Sequence, residues 1–163
     1  MNAKLLLFLS FLIIACQAPK QETPTKIPAG TFLFNTSIPA GQVDENNFLP
    51  YIGNFGKVEG LSVLVLSKRL EKGKNIIVKP LGTLLLEENH AVNPIIVASP
   101  IDTALQLTKT QNFRQFLAQN AGEKQIIQDW FLYQKGLGKI KLVGWKDERH
   151  ALQLIGQRTK QNE

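Results

Sequence analysis

This chain contains five short runs of β-branched and aliphatic residues, which narrow the choice of fold class more than any other feature. The runs are TFLFN, LSVLVLS, NIIVKP, GTLLLE and PIIVAS, all between Thr31 and Ile101, and turns rich in Gly, Pro, Asn and Lys separate them. Runs of this length and composition predict β-strands. The segment KRLEKGKN predicts a reversing loop, and GKVEG, before the second run, predicts a turn that leads into a buried strand.

From about Ala104 onward the apolar residues follow helical spacing. Three helices are predicted, with inward faces at Phe113, Phe116 and Leu117, at Ile126, Ile127, Trp130 and Phe131, and at Ala151, Leu152 and Ile155. A further strand, GKIKLVGW, precedes the last helix, which Asp147 starts. Short strands followed by helices predict a mostly β, α+β domain: a small closed or nearly closed barrel with helices packed outside.

The N-terminus resembles a bacterial lipoprotein signal. A single early cation, Lys4, precedes an apolar run from Leu5 to Ala15, which is short for a bilayer span but fits the core of a secretory signal. The run ends in IIAC, so that a small residue precedes Cys16. In the lipoprotein class this cysteine is lipidated, and several acyl chains anchor a protein stably. An ordinary signal peptide with an incidental cysteine is the alternative. Cys16 is the single cysteine and forms no internal disulfide.

These features predict a signal peptide at 1–15, a lipidated Cys16 with a flexible tether at 16–26, and one domain at 27–163. The expected location is the bacterial cell envelope, where the protein is lipid-anchored on the periplasmic or cell-surface side.

The net charge of +6 is spread along the chain, which argues against nucleic acid as a partner. Phosphate-binding glycine loops and nucleophile elbows are absent from the sequence. The two histidines, His90 in a polar turn and His150 on an exposed-looking helix, lie in separate predicted elements.

The order of landmarks over roughly 125 residues is similar to that of the soluble inorganic pyrophosphatase family. KIPAG stands for the family's E-I-P-A, and KVEGLSVLVL stands for an acidic D-x-D-P-x-D loop and its V-L-V-L strand. EKGKNIIVKPLGTLLL, EENHAVNPIIVASP and DWFLYQKGLGKIKLVGW follow in the family's order. The resemblance implies an OB-like five-stranded barrel with flanking helices, several Mg²⁺ ions held by carboxylates, and often a symmetric homo-oligomer.

The chain departs from the family at most metal-binding positions. The three aspartates of the first acidic loop fall on Lys57, Glu59 and Ser62, so only Glu59 keeps a carboxylate. The two aspartates of the second loop fall on Glu88 and Asn93.

The basic, phosphate-binding positions are also altered. The lysine that follows the second loop falls on Ile95, and the acid before I-P-A falls on Lys26. Tyr133 stands for the family's tyrosine, but its lysine partner becomes Gln134.

Two hypotheses follow, and they differ in chemistry. In the first, the protein is an envelope lipoprotein with a degenerate, non-catalytic domain, a pseudoenzyme that acts as a binding or assembly module without a cofactor. Lys57 and Tyr133 would then be remnants of an anion or phosphate site, with Lys26 near it. In the second, it is an active inorganic diphosphatase: Glu59 and Glu88 hold Mg²⁺, Glu59 is catalytic, and Tyr133 contacts phosphate. A barrel of other ancestry with an unrelated ligand is a third reading.

Overall fold

A computed structural model describes residues 26–41, 43–44, 47–48, 53–107 and 109–162. The predicted signal peptide, Cys16 and nearly all of the tether lie outside the described residues. The described strands are β1 Phe32–Ile38, β2 Val43–Asp44, β3 Asn47–Phe48, β4 Asn54–Val58, β5 Leu61–Val65, β6 Asn75–Glu88, β7 Ala91–Pro100 and β8 Ile140–Asp147. The described helices are α1 Phe113–Gln119, α2 Ala121–Tyr133 and α3 Glu148–Asn162.

Five of the strands are hydrogen-bonded in a ring. Their order is β1-β4-β5-β7-β6, and β6 pairs back with β1. The β5–β7 pair is parallel, and the other pairs of the ring are antiparallel. β8 extends the sheet from the second half of β6. The prediction of a mostly β domain with an OB-like arrangement of five strands and outer helices is confirmed. The segment LSVLVLS supplies β5, which is one of the five strands of the ring.

The structure corrects the predicted turn before LSVLVLS. Residues 54–58 form β4, and the turn itself contains only Glu59 and Gly60, both at positive φ. Two consecutive residues with positive φ match the tight turns that join two antiparallel strands. The strand escaped prediction because its centre is a glycine. A Cβ on Gly56 would lie 2.2 Å from the carbonyl oxygen of Asn35, so close strand packing requires glycine there.

A second correction concerns NIIVKP and GTLLLE, which were predicted as two strands. They form the single strand β6, whose pairing with β7 shifts register between Pro80 and Gly82. Proline has no N–H to donate to a sheet and is therefore tolerated at irregularities of this kind.

Apolar side chains pack on both faces of the sheet. Along β5 and the residue that follows it, Leu64 and Leu66 belong to one buried cluster and Val63 and Val65 to the other, as the alternation of a strand requires. α1 and α2 cover the first cluster, and α3 packs on the second. This arrangement places the cavity described below beside α2.

The inward faces of the helices are partly as predicted. Phe116, Ile127, Phe131 and Ala151 are buried, as expected. Leu117 and Ile126 are 39% and 48% exposed, and these two assignments were wrong. On α2 the buried residues are spaced four apart, so the neighbouring residue at 126 points about 100° away from the sheet.

Asp147 precedes the first turn of α3, as predicted. Its carboxylate accepts hydrogen bonds from the Arg149 side chain at 2.9 Å and from the backbone N–H of His150 at 3.2 Å. These bonds hold the pKa of Asp147 below its ordinary value of 3.8, the Arg149 bond being the larger cause. His150 is half-buried rather than exposed.

No helix of the described residues is long and apolar enough to cross a bilayer.

Candidate functional site

A cavity of about 260 Å³ lies between the sheet and α2. β5, β6 and β7 form one wall, and the C-terminal part of α2 with the start of β8 closes the other. The lining of the cavity is largely apolar and includes the aromatic rings of Phe55 on β4 and of Trp130 and Phe131 on α2. The ring centroids of Trp130 and Phe131 are 4.6 Å apart and nearly perpendicular, an arrangement that aromatic pairs favour.

The structure brings together five positions that the resemblance assigned to the family's site. These are Ser62, Glu88, Asn93, Ile95 and Gln134, all of which line the cavity. Strand pairing explains the convergence: Ser62 lies opposite Ile95 across β5 and β7, and Leu86 lies opposite Asn93 across β6 and β7. Residues from four separate segments therefore share one small volume.

Four other predicted residues lie outside the cavity. Lys57 is exposed and lines a neighbouring groove of about 390 Å³. Glu59 is exposed in the turn between β4 and β5 and does not line the cavity, and Tyr133 is 54% exposed at the end of α2. The two glutamates of the reduced metal site, Glu59 and Glu88, thus belong to different surfaces. Lys26 is exposed at the start of the described residues.

The sequence analysis missed Lys135. Its Nζ donates to both carboxylate oxygens of Glu88, at 2.8 and 2.9 Å. The resemblance placed a lysine one residue earlier, at Gln134, and the adjacent lysine in YQK was the available signal. The Glu88 side chain is 25% exposed and that of Lys135 is 53% exposed, so solvent screens the pair and its contribution to stability is small. Its consequence for the site is that Glu88 is already matched by a cation.

The cavity does not fit a cluster of Mg²⁺ ions. Magnesium prefers oxygen ligands in octahedral geometry and is usually held by carboxylates. Glu88 is the one carboxylate among the described residues that line the cavity, and Lys135 occupies both of its oxygens. Over the described part of the chain, no group of three or more His, Cys, Asp or Glu side chains is arranged to hold a metal ion. Ser62, Asn93 and Gln134 offer only neutral oxygens.

Comparison with known proteins identifies relatives of the chain. The family model described as inorganic pyrophosphatase matches residues 48–163. An inorganic pyrophosphatase of Mesorhizobium japonicum is 30% identical over 118 residues, which are 64% of this chain and 65% of that relative. The chain therefore spans about two thirds of the relative's length.

Solved structures of inorganic pyrophosphatases share the fold. The Thermus thermophilus enzyme superposes with a TM-score of 0.67 at 21% identity, covering 87% of this chain and 99% of that one. The Neisseria gonorrhoeae enzyme gives 0.64 at 18% identity, covering 86% and 96%. Likeness at this identity concerns the fold alone, and it confirms the OB-like fold of the pyrophosphatase type.

Proposed function

The chain belongs to the inorganic pyrophosphatase family, and we propose that it is a degenerate, non-catalytic member that acts as a binding or assembly module. One observation carries the proposal. The cavity where three of the five acidic positions implied by the resemblance converge contains a single carboxylate among its described lining residues, and that carboxylate is bound by Lys135. The other acidic positions that reach the cavity hold Ser62 and Asn93.

Electrostatics explains why this site is unsuited to hydrolysis of pyrophosphate. The substrate is a dense polyanion, and the chemistry implied by the family needs several metal ions that neutralise it and activate water. Surplus negative charge must hold those ions in place. Lys57 instead sets a cation at an aspartate position, and the Glu88–Lys135 pair carries no net charge.

The size of the expected loss in metal affinity favours an inactive site over a slow one. Loss of one ligand or its supporting partner commonly costs about 10–100-fold in metal affinity or activity. Three acidic positions, at Lys57, Ser62 and Asn93, are replaced together. Such losses are not additive, but a site that no longer holds its metal loses turnover altogether.

The direct test is hydrolysis of pyrophosphate by the purified chain with Mg²⁺ at neutral and alkaline pH. We expect little or no phosphate release. The triple variant Lys57→Asp, Ser62→Asp, Asn93→Asp should raise Mg²⁺ affinity in isothermal titration calorimetry, because it adds carboxylates. A matched triple that substitutes Asn at 57 and 62 and Gln at 93 should not. Turnover need not return, since Ile95 and Gln134 replace basic side chains.

An active diphosphatase remains the competing function, because the 30% identical relative is an inorganic pyrophosphatase. In that case Glu59 and Glu88 hold Mg²⁺ and Tyr133 contacts phosphate. Robust Mg²⁺-dependent hydrolysis by the unmodified chain, lost in both Glu59→Gln and Glu88→Gln, would establish the enzyme and overturn the non-catalytic proposal.

Anchoring to the cell envelope through lipid on Cys16 is part of the same proposal and is supported by the lipoprotein-like sequence alone. Replacing Cys16 with serine should move the protein from the membrane fraction to the soluble fraction. Retention of the serine variant in the membrane fraction would contradict lipidation at this residue. Self-association, expected from the family, is tested by light scattering of the same soluble variant.

A further inference from the structure

The cavity wall is chemically unlike a site for an inorganic polyanion. Apolar side chains dominate the described lining, with Phe55, Ile95, Trp130 and Phe131 among them. Ile95, at a position where the family has a lysine, is 8% exposed and presents hydrocarbon. Pyrophosphate alone would leave this wall in contact with water, whereas an apolar group would gain by covering it.

A basic groove adjoins the cavity. The groove is lined by Lys57 and Lys72 together with Asn35 and Ser37, and it shares Ile38 and Phe55 with the cavity. Neither lysine takes part in the ion pairs Lys135–Glu88, Lys141–Glu87 and Arg149–Asp147 of the described residues. The apolar cavity and the two cations therefore form neighbouring parts of one concave surface, which we call the composite site.

The charge of the composite site selects for an anion at one end only. Glu88 is compensated by Lys135, so the pair neither attracts nor repels a net charge strongly. Lys57 and Lys72 are the positive groups of the adjoining groove. An anionic head would be attracted to the groove while an apolar body occupies the cavity.

We propose that the composite site binds a small amphipathic anion: an aromatic or short aliphatic body with a single acidic head. The inference rests on the proposed function, because it takes the non-catalytic cavity as a binding site and names its ligand class. A cavity of about 260 Å³ lies just below the roughly 300–1,000 Å³ of pockets for drug-sized ligands. The size fits an aromatic body of a few rings or a short aliphatic chain and excludes a diacyl lipid tail.

Three probes separate the two parts of the site. 8-Anilinonaphthalene-1-sulfonate carries both an aromatic body and an anionic head, N-phenyl-1-naphthylamine carries the body alone, and inorganic pyrophosphate carries charge alone. We expect saturable one-to-one binding of the sulfonate to the full chain by calorimetry and fluorescence. The neutral amine should bind at least tenfold more weakly, and excess pyrophosphate should displace the sulfonate poorly.

Matched variants assign the binding to residues. Lys57→Gln with Lys72→Gln should weaken the sulfonate at least fivefold and leave the amine unchanged. The control pair Lys109→Gln with Lys160→Gln removes the same charge from exposed residues outside the site and should change neither probe. Ser62→Phe fills the cavity and should weaken both probes. Because Lys57 and Lys72 are exposed, the variant that replaces both should keep the cooperative thermal transition of the unmodified chain. A cooperative transition excludes probe binding to a molten state.

The outcomes distinguish this inference from the proposed function. Equal loss of sulfonate binding in both double variants, or unsaturable binding of several copies, would overturn the composite site. Pyrophosphate hydrolysis measured on the same samples reports separately on the proposed function. Hydrolysis together with one-to-one sulfonate binding overturns the non-catalytic proposal but supports the site, whereas absence of both leaves the proposal standing and overturns the site.

Discussion

Replacement of Asn54 by alanine should destabilise the domain more than any exposed polar substitution. Asn54 lies at the start of β4 and is fully buried. Its Oδ1 accepts from the backbone N–H groups of Ala40 and Leu70, at 2.9 and 3.0 Å. Its Nδ2 donates to Ser67 Oγ at 2.7 Å and to the carbonyl of Lys68 at 3.0 Å. One side chain thus ties two connecting segments to the start of β4.

The expected magnitude follows from these four bonds. At about 1 kcal/mol net for each hydrogen bond, Asn54→Ala should lower the free energy of unfolding by about 4 kcal/mol. The two buried N–H groups that lose their acceptor push the cost upward, because an unsatisfied buried donor costs about 1–3 kcal/mol. At roughly 2–4 °C per kcal/mol for a domain of this size, Tm should fall by roughly 8–16 °C.

Asn35→Ala is the matched control. Asn35 also donates two hydrogen bonds, to the carbonyl of Gly73 at 3.0 Å and to Asn75 Oδ1 at 2.8 Å, but it is exposed. Water replaces those partners, so the control should lose no more than about 1 kcal/mol. Urea unfolding followed by circular dichroism measures both variants. If the two losses agree within about 1 kcal/mol, which is the typical net value of a single bond, the reasoning from burial is refuted.

Three further predictions concern packing, backbone and pH. Phe131→Ala should cost about 3–5 kcal/mol because the ring is buried against the cavity wall, whereas Tyr133→Ala, at an exposed site, should stay within about 0.5 kcal/mol; thermal melts compare them, and similar losses would contradict the assigned helix face. Gly56→Ala should cost at least about 1–3 kcal/mol through the clash with β1, while Gly122→Ala, with open space around it, should be neutral or stabilising; urea unfolding separates the two, and a harmless Gly56→Ala would show that β4 can move away. The folded-state pKa of Asp147 is depressed, so its stabilising effect is present above pH 3.8 and is lost as the pH falls below that value. Asp147→Asn should therefore reduce the acid-side fall of Tm, and an unchanged dependence of Tm on pH would argue against stabilisation by the Asp147 carboxylate.

The strands and the family were accessible from the sequence because their signals are local or ordered along the chain. Alternating burial along LSVLVLS follows from strand geometry, and it requires no knowledge of the partner strands. The order of the family landmarks likewise requires no coordinates, and it assigns Ser62, Glu88 and Asn93 to one site, in agreement with their convergence in the cavity. The strand at 54–58 was missed because its glycine and lysine carry weak strand propensity, and only its packing against β1 makes it a strand.

Fold class and family could be predicted from the order and type of the residues, and so could the departures from the family's acidic positions that the resemblance implies. The surroundings of these positions follow only from the tertiary structure. It paired Glu88 with Lys135 across 47 residues, separated Glu59 from the cavity, and set Lys57 and Lys72 beside an apolar wall. Contacts of this kind arise when strand register and helix docking bring distant side chains within a few ångströms. Charge and burial at a site are properties of that shared volume, and a linear order of residues does not contain them.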